Sequence, residues 1–281
     1  MIAVIYGIST ALCWGTADFI GGSASRRVGA FGMTLSTVGG GLLLLLPVAL
    51  ALQEAPITSS NWLWCMCAGI FDAIGILLLY MAMTSGRLTL AAPVSALTSA
   101  ALPVVFGMWT QGVPKPTIVA GLVLALTAVW MVSQNSEGSS PETKTTLPDL
   151  YLPLLSGVCL GMFLILMHNG SSHAMFWPMI AVRCGGVSTL LLLFLIFRKK
   201  TQRAGTLPLG LMALTALLDV CGNSSYIIAG QIGRMDVAAV LSSLFPGTTV
   251  FLAWLILKEH ISRFQLAGIL IALAAIVLLT L

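Results

Sequence analysis

The chain has 281 residues, 58% of them hydrophobic and only 8% charged, with a mean hydropathy of +1.02. Soluble domains carry roughly 25% charged residues, so the composition excludes a water-soluble globular protein and points to an integral membrane protein. The net charge of +4 is too scattered to define a nucleic-acid surface and is best used to orient the chain in a bilayer.

Apolar runs recur almost end to end. Each approaches the roughly 20 residues needed to cross a hydrocarbon layer of about 30 Å. Ten spans are expected, near residues 2–22, 31–52, 62–84, 88–110, 117–134, 150–170, 175–197, 207–230, 235–257 and 263–281. Tight turns are expected at Ser85-Gly86-Arg87 and Ile232-Gly233-Arg234. The strand alternation of a membrane barrel is absent, so helices must satisfy the backbone in lipid. No basic segment precedes the first run, whose first charge is Asp18, so it is expected to stay as a span rather than be cleaved.

Alternate loops differ in basic charge. One side holds Arg26, Arg27, Arg87, Lys144, Arg198, Lys199, Lys200, Arg203, Lys258 and Arg263; the other holds Lys115 and Arg234. Basic loops face the cytoplasm, which puts both termini outside a plasma (bacterial inner) membrane. The six cysteines all fall inside spans, where a thiol acts as a small apolar group. His168 and His173 lack the spacing of a helical metal pair, so neither a metal site nor a cofactor is expected.

A polar Ser/Thr/Pro-rich linker, residues 135–149, separates residues 1–134 from residues 150–281, five spans on each side. The two parts repeat. At an offset of 147 residues Asp72 pairs with Asp219, Gly75 with Gly222, Gly86-Arg87 with Gly233-Arg234 and Ser95 with Ser242. Gly39-Gly40 likewise matches Gly185-Gly186. An odd number of spans per half forces opposite insertion, so the expected fold is all-α, with ten transmembrane helices in two inverted five-helix repeats. Such repeats place a binding site near the midplane, where the halves meet.

Trp14-Gly15, the Asp-then-Gly pattern of the third and eighth spans, and the stretch from Pro246 through Lys258-Glu259, Gln265 and Gly268 carry a resemblance. On these residues the chain resembles the EamA-type permeases of the drug/metabolite transporter superfamily, over essentially its whole length. The resemblance implies a permease for small metabolites, amino-acid-like compounds or drugs, commonly exporting them. Two positions depart from the pattern: Gly112 stands where a loop glutamate repeats in relatives, and Thr37 stands opposite Arg183 where a second arginine is common. Relatives also more usually keep their termini in the cytoplasm, the reverse of the charge count here.

An ionised side chain at mid-bilayer costs about 2.5–3.5 kcal/mol, so such residues face the bundle interior or water. Asp18, Asp72, Arg183 and Asp219 qualify. Three acids against one base leave a carboxylate free to exchange protons, and Asp219 and Asp72 are the candidates for proton coupling. Asn223 and Tyr226 share a helix face with Asp219, a stripe that could hold a polar or cationic ligand or simply join helices. Asp72 lacks such neighbours and is either a symmetric coupling site or a paired structural acid.

Arg183 could neutralise an acid, anchor a substrate carboxylate or snorkel to the interface. Asp18, near Arg26 and Arg27, and Glu259, beside Lys258 and Arg263, read as ion pairs or gates. Trp14, Tyr80, Ser242 and Ser243 complete the candidate substrate site. Pro93, Pro103 and Pro246 mark hinges or packing kinks, because proline removes a backbone donor. No nucleophile–base pair, metal cluster or phosphate loop points to an enzyme. The expectation is a proton-coupled, alternating-access carrier, monomeric or homodimeric, whose partners are a small-molecule substrate, protons and the bilayer. A proton-independent exchanger and a non-transporting receptor are the alternatives.

Overall fold

A computed structural model describes residues 2–84, 88–132, 147–171, 174–197, 208–257 and 263–280. Ser85-Gly86-Arg87, most of the linker, His173, Lys258 and Glu259 lie outside the described residues. The described chain is helical: α1 Ile2–Val28, α2 Ala30–Leu52, α3 Ser59–Thr84, α4 Leu88–Thr110, α5 Pro116–Val132, α6 Leu147–Gly170, α7 Phe176–Phe197, α8 Leu209–Ile232, α9 Met235–Ser242, α10 Phe245–Leu257 and α11 Arg263–Thr280. Seven are long and apolar enough to cross a bilayer, with α9 and α10 taken together as one 22-residue run, Met235–Ile256. Two shorter apolar stretches, Val94–Thr110 and Pro116–Met131, accompany them.

The two largest departures from the expected spans each have a backbone reason. The first helix continues past residue 22 to Val28, since hydropathy marks the bilayer edge whereas the chain turns only at Gly29, whose φ of 83° lies in the left-handed region. The ninth span is broken at Ser243-Leu244. There the ladder tightens, with Leu244 N–H donating to the Leu241 carbonyl at 3.2 Å and Gly247 N–H to that of Leu244 at 2.9 Å. Pro246 follows at once, and its missing N–H withdraws the donor that the Ser242 carbonyl would otherwise meet. By contrast, α4 runs unbroken through Pro93 and Pro103.

The packing repeats across the halves. α3 lies against α6 as α8 lies against α1, and α4 against α6 as α9 and α10 lie against α1, while α5 and α11 pair with each other. The repeat reaches individual residues: Gly75 approaches Cys159 and Leu160, and its partner Gly222 approaches Cys13 and Trp14. These glycines leave room for side chains of the facing helix, which is how membrane helices gain packing without a hydrophobic drive. The seam between halves therefore runs through the middle of the bundle.

At one end of the bundle, side chains tie loops together. Glu54, in the α2–α3 loop, accepts N–H donors from Met175 at 2.8 Å and from Phe176 and Trp177 at 2.9 Å. These are orphan amides at the positive end of α7. The Trp177 indole returns a hydrogen bond to the Glu54 carbonyl at 2.8 Å. Gln231 donates to the Ala174 carbonyl at 3.0 Å. Arg234 chelates Asp236 through Nε at 3.1 Å and Nη2 at 2.9 Å, and donates to the Gly112 carbonyl at 2.8 Å. Replacing Glu54 with Ala should lower unfolding stability in detergent by about 1–3 kcal/mol, the cost of leaving part-buried donors unpaired, as measured by thermal unfolding of the purified protein.

Candidate functional site

Arg183, on α7, is 1% exposed and stands between two carboxylates of the opposing repeats. Its Nη1 donates to Asp72 Oδ2 on α3 at 3.2 Å, and its Nη2 is paired with Asp219 Oδ2 on α8. Both acids are buried, Asp72 at 3% and Asp219 at 7% exposure. The residues that the repeat sets 147 apart thus converge on one guanidinium. Room for it comes from Gly41 on α2: a Cβ there would sit 2.9 Å from Arg183 Nε. The repeat partner of Arg183, Thr37, lines the same region, so the second half alone supplies the base.

Asn223 extends the network, its amide donating to Asp219 Oδ2 at 3.2 Å. A narrow pocket opens beside these groups, with a cavity volume of about 60 Å³. Trp14, Asp18, Tyr80, Asp72, Asp219, Asn223 and Ser243 all lie on its wall, together with Thr37, Ser99, Phe163 and Phe245.

Not every candidate from the sequence reaches the pocket. Tyr226 sits behind the wall: its phenol donates to the Leu164 carbonyl at 3.1 Å, and its ring lies 5.9 Å from Trp14. Ser242 is fully buried and turns its hydroxyl back to the Ala238 carbonyl at 2.7 Å; Ser243 does the same to Ala239. Arg183 faces the acids. Asp18 points into the pocket and makes no ion pair among the described residues, while Arg26 and Arg27 are exposed. Pro246 flanks the α9–α10 break close to the wall residues Ser243 and Phe245, and Glu259 is outside the described residues.

The polar residues that sequence reasoning missed follow from contacts that no local pattern announces. Glu54 reads as an ordinary loop charge, and Asp236 opens the ninth span without being singled out, until folding brings the Met175–Trp177 amides to one and Arg234 to the other. Ser99, Phe163 and Phe245 are indistinguishable in sequence from other lipid-span residues. Thr37 carried a signal, as the repeat partner of Arg183.

A helical membrane bundle of two related halves, with charged groups meeting at their seam beside a pocket, is a transporter architecture. The profile of the EamA-like transporter family matches residues 1–134 and 147–281, one copy on each half. The chain belongs to that family, part of the drug/metabolite transporter superfamily, and is a multi-pass integral membrane protein. No curated protein matches it. A solved structure described as "Crystal structure of protein" superposes with a TM-score of 0.77 over 99% of this chain and 96% of its own, at 16% identity. That likeness shows the shared fold.

Removing the base alone should be severe. Arg183→Leu leaves two adjacent buried carboxylates and is expected to cost about 3–5 kcal/mol. Replacing Asp72, Arg183 and Asp219 together with Leu should recover most of that loss, because no charge is then left unpaired. Thermal unfolding of the two variants side by side measures the difference.

Proposed function

We propose that the protein is a secondary transporter with ten transmembrane helices in two inverted five-helix repeats, residues 1–134 and 150–281. It moves a small polar or amphipathic metabolite, an amino-acid-like compound, cation or drug, across the bacterial inner membrane by alternating access, with export favoured and both termini outside. The observation that carries this reading is Arg183 bridging Asp72 and Asp219 at the seam of the halves, beside the pocket. Coupling to protons follows from the charge balance. A proton on Asp219 or Asp72 cancels one of the two charges that hold the guanidinium, and Arg183 then favours the other acid.

Such a shift changes the contacts among α3, α7 and α8, which cross the seam. Because the halves are related by a repeat, exchanging their conformations converts one open state into another of similar energy. The loop ties at Glu54, Gln231 and Arg234 would then have to open for that end of the pathway to admit solute. The α9–α10 break, at Ser243-Leu244, supplies a point where one wall can bend.

Flux tests this reading. Proteoliposomes loaded with a metabolite mixture and given an imposed pH gradient are expected to accumulate or extrude at least one compound, read by mass spectrometry. Asp219→Asn should lose the gradient-driven movement. Flux that ignores the gradient, with an active Asp219→Asn variant, would establish a proton-independent exchanger instead. No flux at all, with Asp72 and Asp219 freely replaceable by Leu, would establish a non-transporting protein.

A further inference from the structure

Packing leaves two polar groups over at the pocket. Asp18 projects from α1 onto the wall and has no hydrogen bond or ion pair among the described residues. The groups facing it do not neutralise it. α3 presents Asp72 and Tyr80, α8 presents Asp219, and Arg183 on α7 is committed to those two acids. The wall residues from α2, α6 and the broken ninth span carry no charge.

The second group is the amide oxygen of Asn223. Its residue is 2% exposed and lies on the same wall. An aspartate oxygen beside Arg183 acts as an acceptor, so the Asn223 amide must turn its NH2 toward Asp219. That choice leaves Oδ1 buried and, among the described residues, without a partner. A buried acceptor without a donor is costly, and an incoming N–H would satisfy it. Trp14 and Phe163, their rings 6.5 Å apart, form an aromatic wall beside both groups, a surface that attracts cations and flat apolar groups alike.

We propose that the pocket binds a substituted ammonium ion bearing an aromatic or similar apolar group. The Asp18 carboxylate takes the cationic nitrogen, Asn223 Oδ1 accepts one of its N–H groups, and Trp14 and Phe163 pack the apolar part. The proposal names the substrate class of the transport site and so rests on the transporter reading for its role, although binding itself can be measured without flux. The Asp72–Arg183–Asp219 cluster then serves the conformational step, while Asp18 supplies the charge that selects the ligand.

Three probes separate the contributions: 2-phenylethylamine, its N,N,N-trimethyl analogue, which has no N–H, and the anion 3-phenylpropionate. Each is titrated into detergent-purified full-length protein and followed by calorimetry and thermal shift. Both cations should bind and the anion should not. Asp18→Asn should weaken both cations by about tenfold or more, whereas Asp18→Glu should retain them. Asn223→Leu should weaken the primary amine while leaving the trimethyl analogue within about twofold.

Among the described residues Asp18 makes no hydrogen bond or ion pair that Asn would break, so the unliganded melting curve of the variant checks its fold. Equal binding of the anion, an unchanged Asp18→Asn variant, or no binding of either cation would overturn the proposal. Gradient-driven flux of some other metabolite by a protein that binds neither cation would sink this inference and leave the transporter reading standing. Cation binding without any flux would do the reverse.

Discussion

One guanidinium between two carboxylates organises the molecule. Charge is expensive inside a bilayer, and the chain places Asp72, Arg183 and Asp219 where they compensate one another across the seam of two repeats. Neither half is complete without the other. The first repeat brings an acid and no base, the second brings both, and the bridge forms only when the two assemble. The glycines around it, Gly41 beside Arg183 and Gly69 against the Val182 carbonyl, let α2, α3 and α7 come close enough for that pairing.

The halves share a plan but differ where chemistry is concerned. Asp219 is followed by Asn223 and Tyr226, whereas the matching positions after Asp72 are Ile76 and Leu79. In the structure this difference gives the acidic pair unequal surroundings: among the described residues Asp219 is held by Arg183 and Asn223, and Asp72 by Arg183 alone. A symmetric scaffold gives two conformations of comparable energy, and an asymmetric lining gives a ligand one preferred pose. The same division explains why Tyr226 packs behind Trp14 while its neighbour one turn earlier meets the pocket.

The helical plan is legible in the sequence because bilayer thickness imposes a length and lipid imposes an apolar composition. The Asp72–Asp219 repeat is legible because acids are too rare in such spans to coincide by accident. Local periodicity does not reveal which side chains meet. Asp18 reads in sequence as a neighbour of Arg26 and Arg27, yet helix geometry turns it inward while those arginines face outward. Tyr226 shares a stripe with Asp219, yet its ring length carries it past the pocket to a carbonyl of α6. Glu54 sits in a polar loop with nothing to mark it, because its partners are backbone amides more than a hundred residues away.

That loop carboxylate has a reach beyond its own end of the bundle. Glu54 grips the first amides of α7, and Arg183 lies seven residues further along that rigid rod, about 10 Å deeper at roughly 1.5 Å per residue. A helix can slide along its axis only by carrying every side chain with it. The α2–α3 loop thus acts as a depth stop, setting from the membrane surface the level at which the interior base meets its two acids.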